Sequence, residues 1–242
     1  MKGILRREPR SKREKSNGKQ EAISLPNVTE RREFVDRSPL EGKTTNQKRY
    51  LNAMASSTIV FGTGPSGVGK TFLATAFAAD ALLEKRIEHV IVTRPAIETG
   101  QSIGFLPGEL EEKFDPYLQP FKDVLNRRLG RSHVEALLKN GRIEATPINY
   151  LRGRTFRNSV VILDEAQNTT PEQMKMFLTR IGEGSTLIIN GDLLQSDIEG
   201  PSGLADALSK VSRIPGVRVV EFERKDIVRH GIIQDIIEAY EG

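Results

Sequence analysis

Short apolar runs separated by longer segments of helical spacing set the pattern of this chain. Thr58–Phe61, His89–Thr93, Val160–Leu163, Thr186–Ile189 and Val217–Phe222 are mostly apolar and too short for helices. Runs of that length, bounded by turn residues, predict buried strands. Arg142–Thr146 predicts a sixth, less apolar strand. Between the strands the spacing changes to that of helices. Thr45–Ala55 places Tyr50, Leu51, Met54 and Ala55 on one face. Phe72–Leu83 is rich in alanine and can pack close on a sheet. Tyr117–Arg128 offers Leu118, Phe121, Val124 and Leu125, and His133–Leu138 forms a shorter segment. Pro171–Ile181 turns Met174, Phe177, Leu178 and Ile181 inward, and Ser202–Val211 and Ile227–Tyr240 complete the set. Six strands alternating with helices predict a doubly wound α/β domain with a mostly parallel sheet, spanning about residues 38–242.

Two stretches depart from the pattern. Residues 1–37 lack periodicity and mix charges with Ser, Asn, Gly and Gln, so they are expected to be disordered. Residues 1–20 carry eight Lys/Arg against two acids, a net +6, while the remaining 28 basic and 30 acidic residues leave −2. The chain's overall +4 is therefore a property of this tail. A basic arm attracts polyanions, nucleic acid above all, and the plainer alternative is a solvated end without a partner. The second stretch, Arg94–Asp115, is long, polar and punctuated by Gly and Pro. It follows the carboxyl end of a strand, where open α/β sheets bind ligands.

Composition removes several classes. There is no cysteine and there are three scattered histidines, which argues against disulfides and Cys/His metal sites. No apolar run reaches the roughly 18 residues of a membrane span. The basic start lacks the apolar region of a secretory signal, so a cytoplasmic protein without membrane contact is expected.

The candidate chemistry gathers at strand ends. Gly64, Pro65, Ser66, Gly67, Val68, Gly69, Lys70 and Thr71 satisfy G-x-x-x-x-G-K-[ST] between a strand and a helix. Glycines there let backbone N–H groups turn toward phosphate, and the helix adds the positive end of its dipole. Lys70 is expected at the β/γ-phosphates of ATP and Thr71 on Mg²⁺. Val160–Leu163 ends in Asp164 and Glu165, one to orient the metal's shell and one to polarise the attacking water. Asn190–Gln195 ends another strand, and Asp192 and Gln195 would lie beside Asp164 if the two strands are neighbours. Gln47 is either a capping glutamine or an adenine reader. Arg224, Arg229, Arg180, Arg152 and Arg154 are candidates for an arginine finger, acting across a subunit contact in a ring-shaped homo-oligomer.

GPSGVGKT at 64–71, TRPAIETGQSIGFLPGEL at 93–110, YLRGRTF at 150–156, VVILDEAQNTTPEQMKMFLTRIG at 160–182, NGDLLQSD at 190–197 and FERKDIVRH at 222–230 occur in that order. Together they strongly resemble the PhoH family of ATPases over about residues 40–242. The resemblance implies one RecA-like P-loop NTPase core similar to superfamily 1 helicases. It implies adenine reading by Gln47, a γ-phosphate sensor in Gln195, and a last-motif arginine in Arg229. An arginine acting across a subunit contact points to a ring, with a hexamer as one size, and the motif set with the basic tail points to RNA or single-stranded nucleic acid as its partner. Processive helicases of that superfamily use two such domains, and this chain has room for one. The tail Met1–Arg37 carries no acidic constellation for a two-metal nuclease. Two other readings remain at this point: a nucleotide-gated interaction protein, and a small-molecule kinase.

Overall fold

A computed structural model describes residues 35–95 and 110–228, with side chains of the helix beginning at Leu110 described from Leu118 onward. The tail at 1–34, most of the Arg94–Asp115 stretch and the predicted terminal helix with Arg229 lie outside these residues.

Six strands run in the order β1 Ile59–Thr63, β2 His89–Arg94, β3 Ile143–Pro147, β4 Ser159–Leu163, β5 Thr186–Gly191 and β6 Val217–Glu221. They form one sheet of order β3-β2-β4-β5-β1-β6, and every pairing is parallel. The helices are α1 Thr45–Ser56, α2 Lys70–Leu83, α3 Leu110–Leu129, α4 Arg131–Lys139, α5 Pro171–Leu178 and α6 Gly203–Val211. The fold is a doubly wound α/β sheet, and it is wholly rather than mostly parallel among the described residues.

Alternation within the apolar runs explains why they are unbroken. Successive strand residues point to opposite faces, and here both faces are buried. Val60, Val90, Val92, Val160, Ile162 and Ile188 pack with Tyr50 of α1, Leu73 of α2, Phe121 of α3 and Val134 of α4. Their neighbours Phe61, Ile91, Val161, Leu163, Leu187 and Ile189 pack with Met174 and Phe177 of α5 and Leu204 of α6. Helix α2 is covered on several sides, and Ala74, Ala76, Ala78, Ala79 and Ala81 are all fully buried.

Helix α3 differs from its expected start. The helix expected over Tyr117–Arg128 begins seven residues earlier, and α3 runs through Pro116 and Pro120 from Leu110 to Leu129. Burial of Leu118, Phe121, Val124 and Leu125 outweighs the lost backbone bonds. Ahead of α1, the Asp36 N–H donates to the Arg127 carbonyl at 2.8 Å and its carboxylate accepts from Arg127 Nη2 at 3.0 Å, which ties this stretch to the end of α3.

Candidate active site

β1 leads straight into the phosphate-loop sequence, and α2 opens at Lys70 behind a left-handed Gly69. Gly64 has φ of +129°, and a Cβ there would stand 2.3 Å from the Phe222 carbonyl oxygen. Only glycine allows β6 to end this close to the loop. The first bond of α2 runs from the Leu73 N–H to the Gly69 carbonyl at 2.9 Å. The N–H groups of Lys70, Thr71 and Phe72 therefore precede the helical ladder, as an anion site at a helix start requires.

The loop, Asp164 with Glu165, and Asp192 with Gln195 line one cleft of about 350 Å³. The condition set by the sequence is met, because β4 and β5 are adjacent in the sheet. β1 lies on the far side of β5, so one strand separates the phosphate loop from the acidic pair. Lys70 Nζ donates to the carbonyls of Gly64 and Pro65, the latter at 2.8 Å. Burial lowers the Lys70 pKa, and Asp192, Asp164 and Glu165 oppose the shift.

Thr71 Oγ1 is 3.1 Å from each carboxylate oxygen of Asp164. Asp164 is buried, and burial raises its pKa against the opposing pull of Arg94 and the Thr71 hydroxyl. A hydroxyl and a carboxylate this close are hard oxygen donors that suit Mg²⁺, which keeps most of its shell as water and phosphate oxygen. Among the described residues no group of three or more His, Cys, Asp or Glu gathers as in an all-protein metal cage. Glu165 follows in the left-handed region at φ +54°, a conformation that costs a non-glycine residue about 1–3 kcal/mol and clusters at functional sites.

Two side chains beyond the predicted set complete this corner. Arg94, at the end of β2, donates from Nη2 to Asp164 Oδ2 at 2.6 Å and lies 5.2 Å over the Phe121 ring. Its Nε is buried without a partner. Gln167, 2% exposed, donates to Glu165 Oε2 at 2.8 Å and accepts from the Asp192 N–H at 3.0 Å. It joins Glu165 to the strand end that carries Gln195. The signal for Gln167 was its place two residues after Glu165. The signal for Arg94 was a lone cation at a strand's carboxyl end.

Gln47 is buried beside the loop rather than in the cleft lining. Its amide donates to the Val68 carbonyl at 2.9 Å and accepts from the Lys43 N–H at 2.7 Å. An amide has two donors and two lone pairs, so one of each is left over. Asn46 donates to Asp226 at 2.7 Å, and the Phe222 N–H donates to Thr63 at 2.7 Å, fastening the segment after β6 to α1 and the loop. Arg229 follows that segment, outside the described residues. Arg154 is held bidentately by Glu144, and Arg180 bonds locally to Met176 and Thr179. None of Arg152, Arg154, Arg180 and Arg224 lines the cleft.

A phosphate loop on β1 and an acidic pair one strand away, on a parallel sheet, define a P-loop NTPase, a class that uses nucleotide and Mg²⁺. Residues 39–241 match the family model described as PhoH-like protein. The chain belongs to the PhoH-like family. A PhoH-like protein of Bacillus subtilis (strain 168) is 51% identical over 201 residues, covering 82% of this chain and 63% of that protein. A PhoH-like protein of Mycobacterium tuberculosis (strain ATCC 25618 / H37Rv) is 48% identical over 200 residues, 82% of this chain and 57% of its own length. Protein PhoH of Escherichia coli (strain K12) is 43% identical over 252 aligned positions, covering 99% of this chain and 70% of that protein. The chain thus spans about six-tenths of the length of the first two. Among solved structures, a Pif1 helicase from Candida albicans is similar at a TM-score of 0.42 and 17% identity, over 82% of this chain and 43% of its own. The sheet order defines the fold without that likeness. No helix among the described residues is long and apolar enough to cross a membrane.

Proposed function

We propose that the protein hydrolyses ATP with Mg²⁺ and couples this to binding or remodelling RNA or single-stranded DNA as a ring-shaped oligomer. The observation that carries the reading is the convergence of Lys70, Thr71, Asp164, Glu165 and Gln195 on one cleft. Thr71 and Asp164 would hold Mg²⁺, which supplies charge to the phosphate oxygens when bound. Lys70 then leaves its loop carbonyls for the β/γ-phosphates. Glu165, exposed and oriented by Gln167, accepts a hydrogen bond from the attacking water. Gln195 contacts the γ-phosphate and that water. Gln47 reads the adenine with its spare donor and lone pair. Arg229 supplies the remaining positive charge from a neighbouring copy. The basic residues 1–20 support the nucleic-acid partner through phosphate contacts.

The test is ATP turnover with and without single-stranded RNA or DNA, at low and high salt. Turnover should rise with nucleic acid at low salt and lose that response as salt rises. Lys70→Ala should lower turnover by at least about 100-fold, on the scale of losing one preorganised charge contact. Full turnover in that variant sinks the ATPase assignment, and indifference to nucleic acid at low salt sinks the coupling.

A second reading has one observation in its favour. Leu193 and Leu194 are 45% and 95% exposed immediately before Gln195. An apolar tip on the sensor turn suits a nucleotide-gated contact with a second copy. Slow turnover, indifferent to nucleic acid, with an ATP-dependent change in oligomer size would favour it.

A further inference from the structure

Phe72 is the one side chain of the cleft whose chemistry does not match the rest. Among the described residues the lining is otherwise glycine, hydroxyl, amide, carboxylate and the Lys70 ammonium, and Phe72 is the sole aromatic there. It is 42% exposed, although it follows Thr71 in the first turn of a helix whose next four residues are buried. Phe72 belongs to neither of the two apolar clusters and is not among the partly buried side chains packed against them. Core packing therefore does not account for a large ring at this position, and leaving it in water is unfavourable.

The geometry of the helix start says what the ring could meet. The N–H groups of residues 70–72 precede the first helical bond, so a phosphate chain lies along them. Lys70, Thr71 and the facing carboxylates mark the end where chemistry occurs. The Phe72 N–H closes this row of donors. At about 350 Å³ the cleft is at the small end for small-molecule sites. The phosphates and metal shell take up the polar part, which leaves a nucleoside to emerge over its rim. The amide of Gln47 is engaged by the main chain at both ends, so edge contacts from it leave the base's faces uncovered.

We infer that Phe72 is the stacking platform for the nucleotide base, and that the site takes a planar purine through this ring as well as a triphosphate through the loop. The inference rests on the phosphate-loop reading above. Stacking is tolerant of base identity, because every base has a π-face. Phe72 therefore supplies affinity for nucleosides over bare polyphosphate, and discrimination among bases comes from edge contacts.

The chain contains no tryptophan, so Phe72→Trp introduces a single fluorescent reporter. Its emission should change on adding ADP or a non-hydrolysable ATP analogue with Mg²⁺, and should not change with Mg²⁺ tripolyphosphate. By calorimetry, Phe72→Ala should bind the ATP analogue about 5- to 150-fold more weakly than wild type, the range for losing one base–aromatic stack. Its affinity for tripolyphosphate should stay within about twofold. Phe72→Tyr should restore nucleotide binding. Equal loss of both compounds in Phe72→Ala, or no loss of either, overturns the inference. So does a change in oligomer size with nucleotide affinity intact, because the ring is then a contact between copies. Wild-type protein that binds neither compound breaks the phosphate-loop reading itself, which separates that failure from a failure of the stacking assignment.

Discussion

The two ends of the cleft are built on different terms. At the metal end, Asp164 is 2% exposed and receives the Thr71 hydroxyl and the Arg94 guanidinium. Three elements, α2, β2 and β4, meet on one carboxylate. At the sensor end, Leu193, Leu194 and Gln195 are exposed. Within the turn the bonds are local, from the Gln195 N–H to the Asp192 carbonyl at 3.1 Å and from the Leu194 N–H to Asp192 Oδ1 at 3.0 Å, while its flanks are tied to the segment after β4 by the Asp192 N–H to Gln167 Oε1 at 3.0 Å and the Asp197 N–H to Asn168 Oδ1 at 2.8 Å. Asp164 is held by buried, cross-linked partners, and Gln195 sits on an exposed turn where local opening costs less. Gln167 spans the two, with one end of its amide on Glu165 and the other on the main chain of Asp192.

The sharpest way to break this contrast is at Arg94. Arg94→Ala leaves the buried Asp164 carboxylate without its cation, and removing one partner of such a pair costs about 3–5 kcal/mol. Denaturant unfolding measures the loss, and millimolar Mg²⁺ should recover part of it by supplying another cation. A loss below 1 kcal/mol would mean that the metal end is not the rigid one. Next is the link itself. Gln167→Ala strands the Asp192 N–H and frees Glu165, an expected loss of about 1–3 kcal/mol. If Gln167 orients the general base, turnover in this variant falls further than nucleotide affinity. An equal fall in both would reduce Gln167 to a structural role.

Leu194→Ser should leave stability within about 0.5 kcal/mol, as surface changes do. Its effect should appear instead in oligomer size or in the response to nucleic acid, followed by light scattering and stimulated turnover. Unchanged behaviour in both would remove the sensor turn from any interface. The smallest effect is expected at Asp36, which belongs to neither end. Hydrogen bonds from the Ser38 hydroxyl and N–H, with Arg127 beside them, lower its pKa to about 2. A depressed carboxyl contributes stability above its unfolded value of about 3.9, and loses it as pH falls toward 2. Wild type and Asp36→Asn should therefore differ in unfolding midpoint at pH 5 and converge as the pH approaches 2. A constant difference would mean that the charge is not what matters there.

Much of this was readable in the chain before the fold was known. The buried strands were visible because a strand covered on both faces has no polar positions to interrupt it, as Val160–Leu163 illustrates. Their ends were less well marked. β1 and β5 each run two residues past the apolar stretch, to Thr63 and Gly191, because main-chain pairing continues where side chains turn polar. α3 was placed too late, from Tyr117, because the apolar spacing of Leu118, Phe121, Val124 and Leu125 begins only after Pro116, and the helix starts earlier, at Leu110. Gln47 was singled out as a base reader. The contacts that place it beside the loop, to Val68 and Lys43, are main-chain contacts that no spacing rule reveals.

The sequence by itself determined the phosphate loop, the acidic pair and the sensor turn. Each is a contiguous run whose chemistry follows from residue type and from its position at the end of a strand. What only the tertiary structure decided is how those runs meet. Thr71 and Asp164 are 93 residues apart, and Arg94 and Asp164 are 70 apart. Their contact depends on β4 lying between β2 and β5, and on β5 lying between β4 and β1. Strand order is a global outcome of how two apolar faces are covered by helices, and the local alternation of side chains carries no record of it. The exposed ring of Phe72 belongs to the same class. In the chain it is one more apolar residue at the start of a helix, and only the folded sheet leaves it in the cleft lining without a core to join.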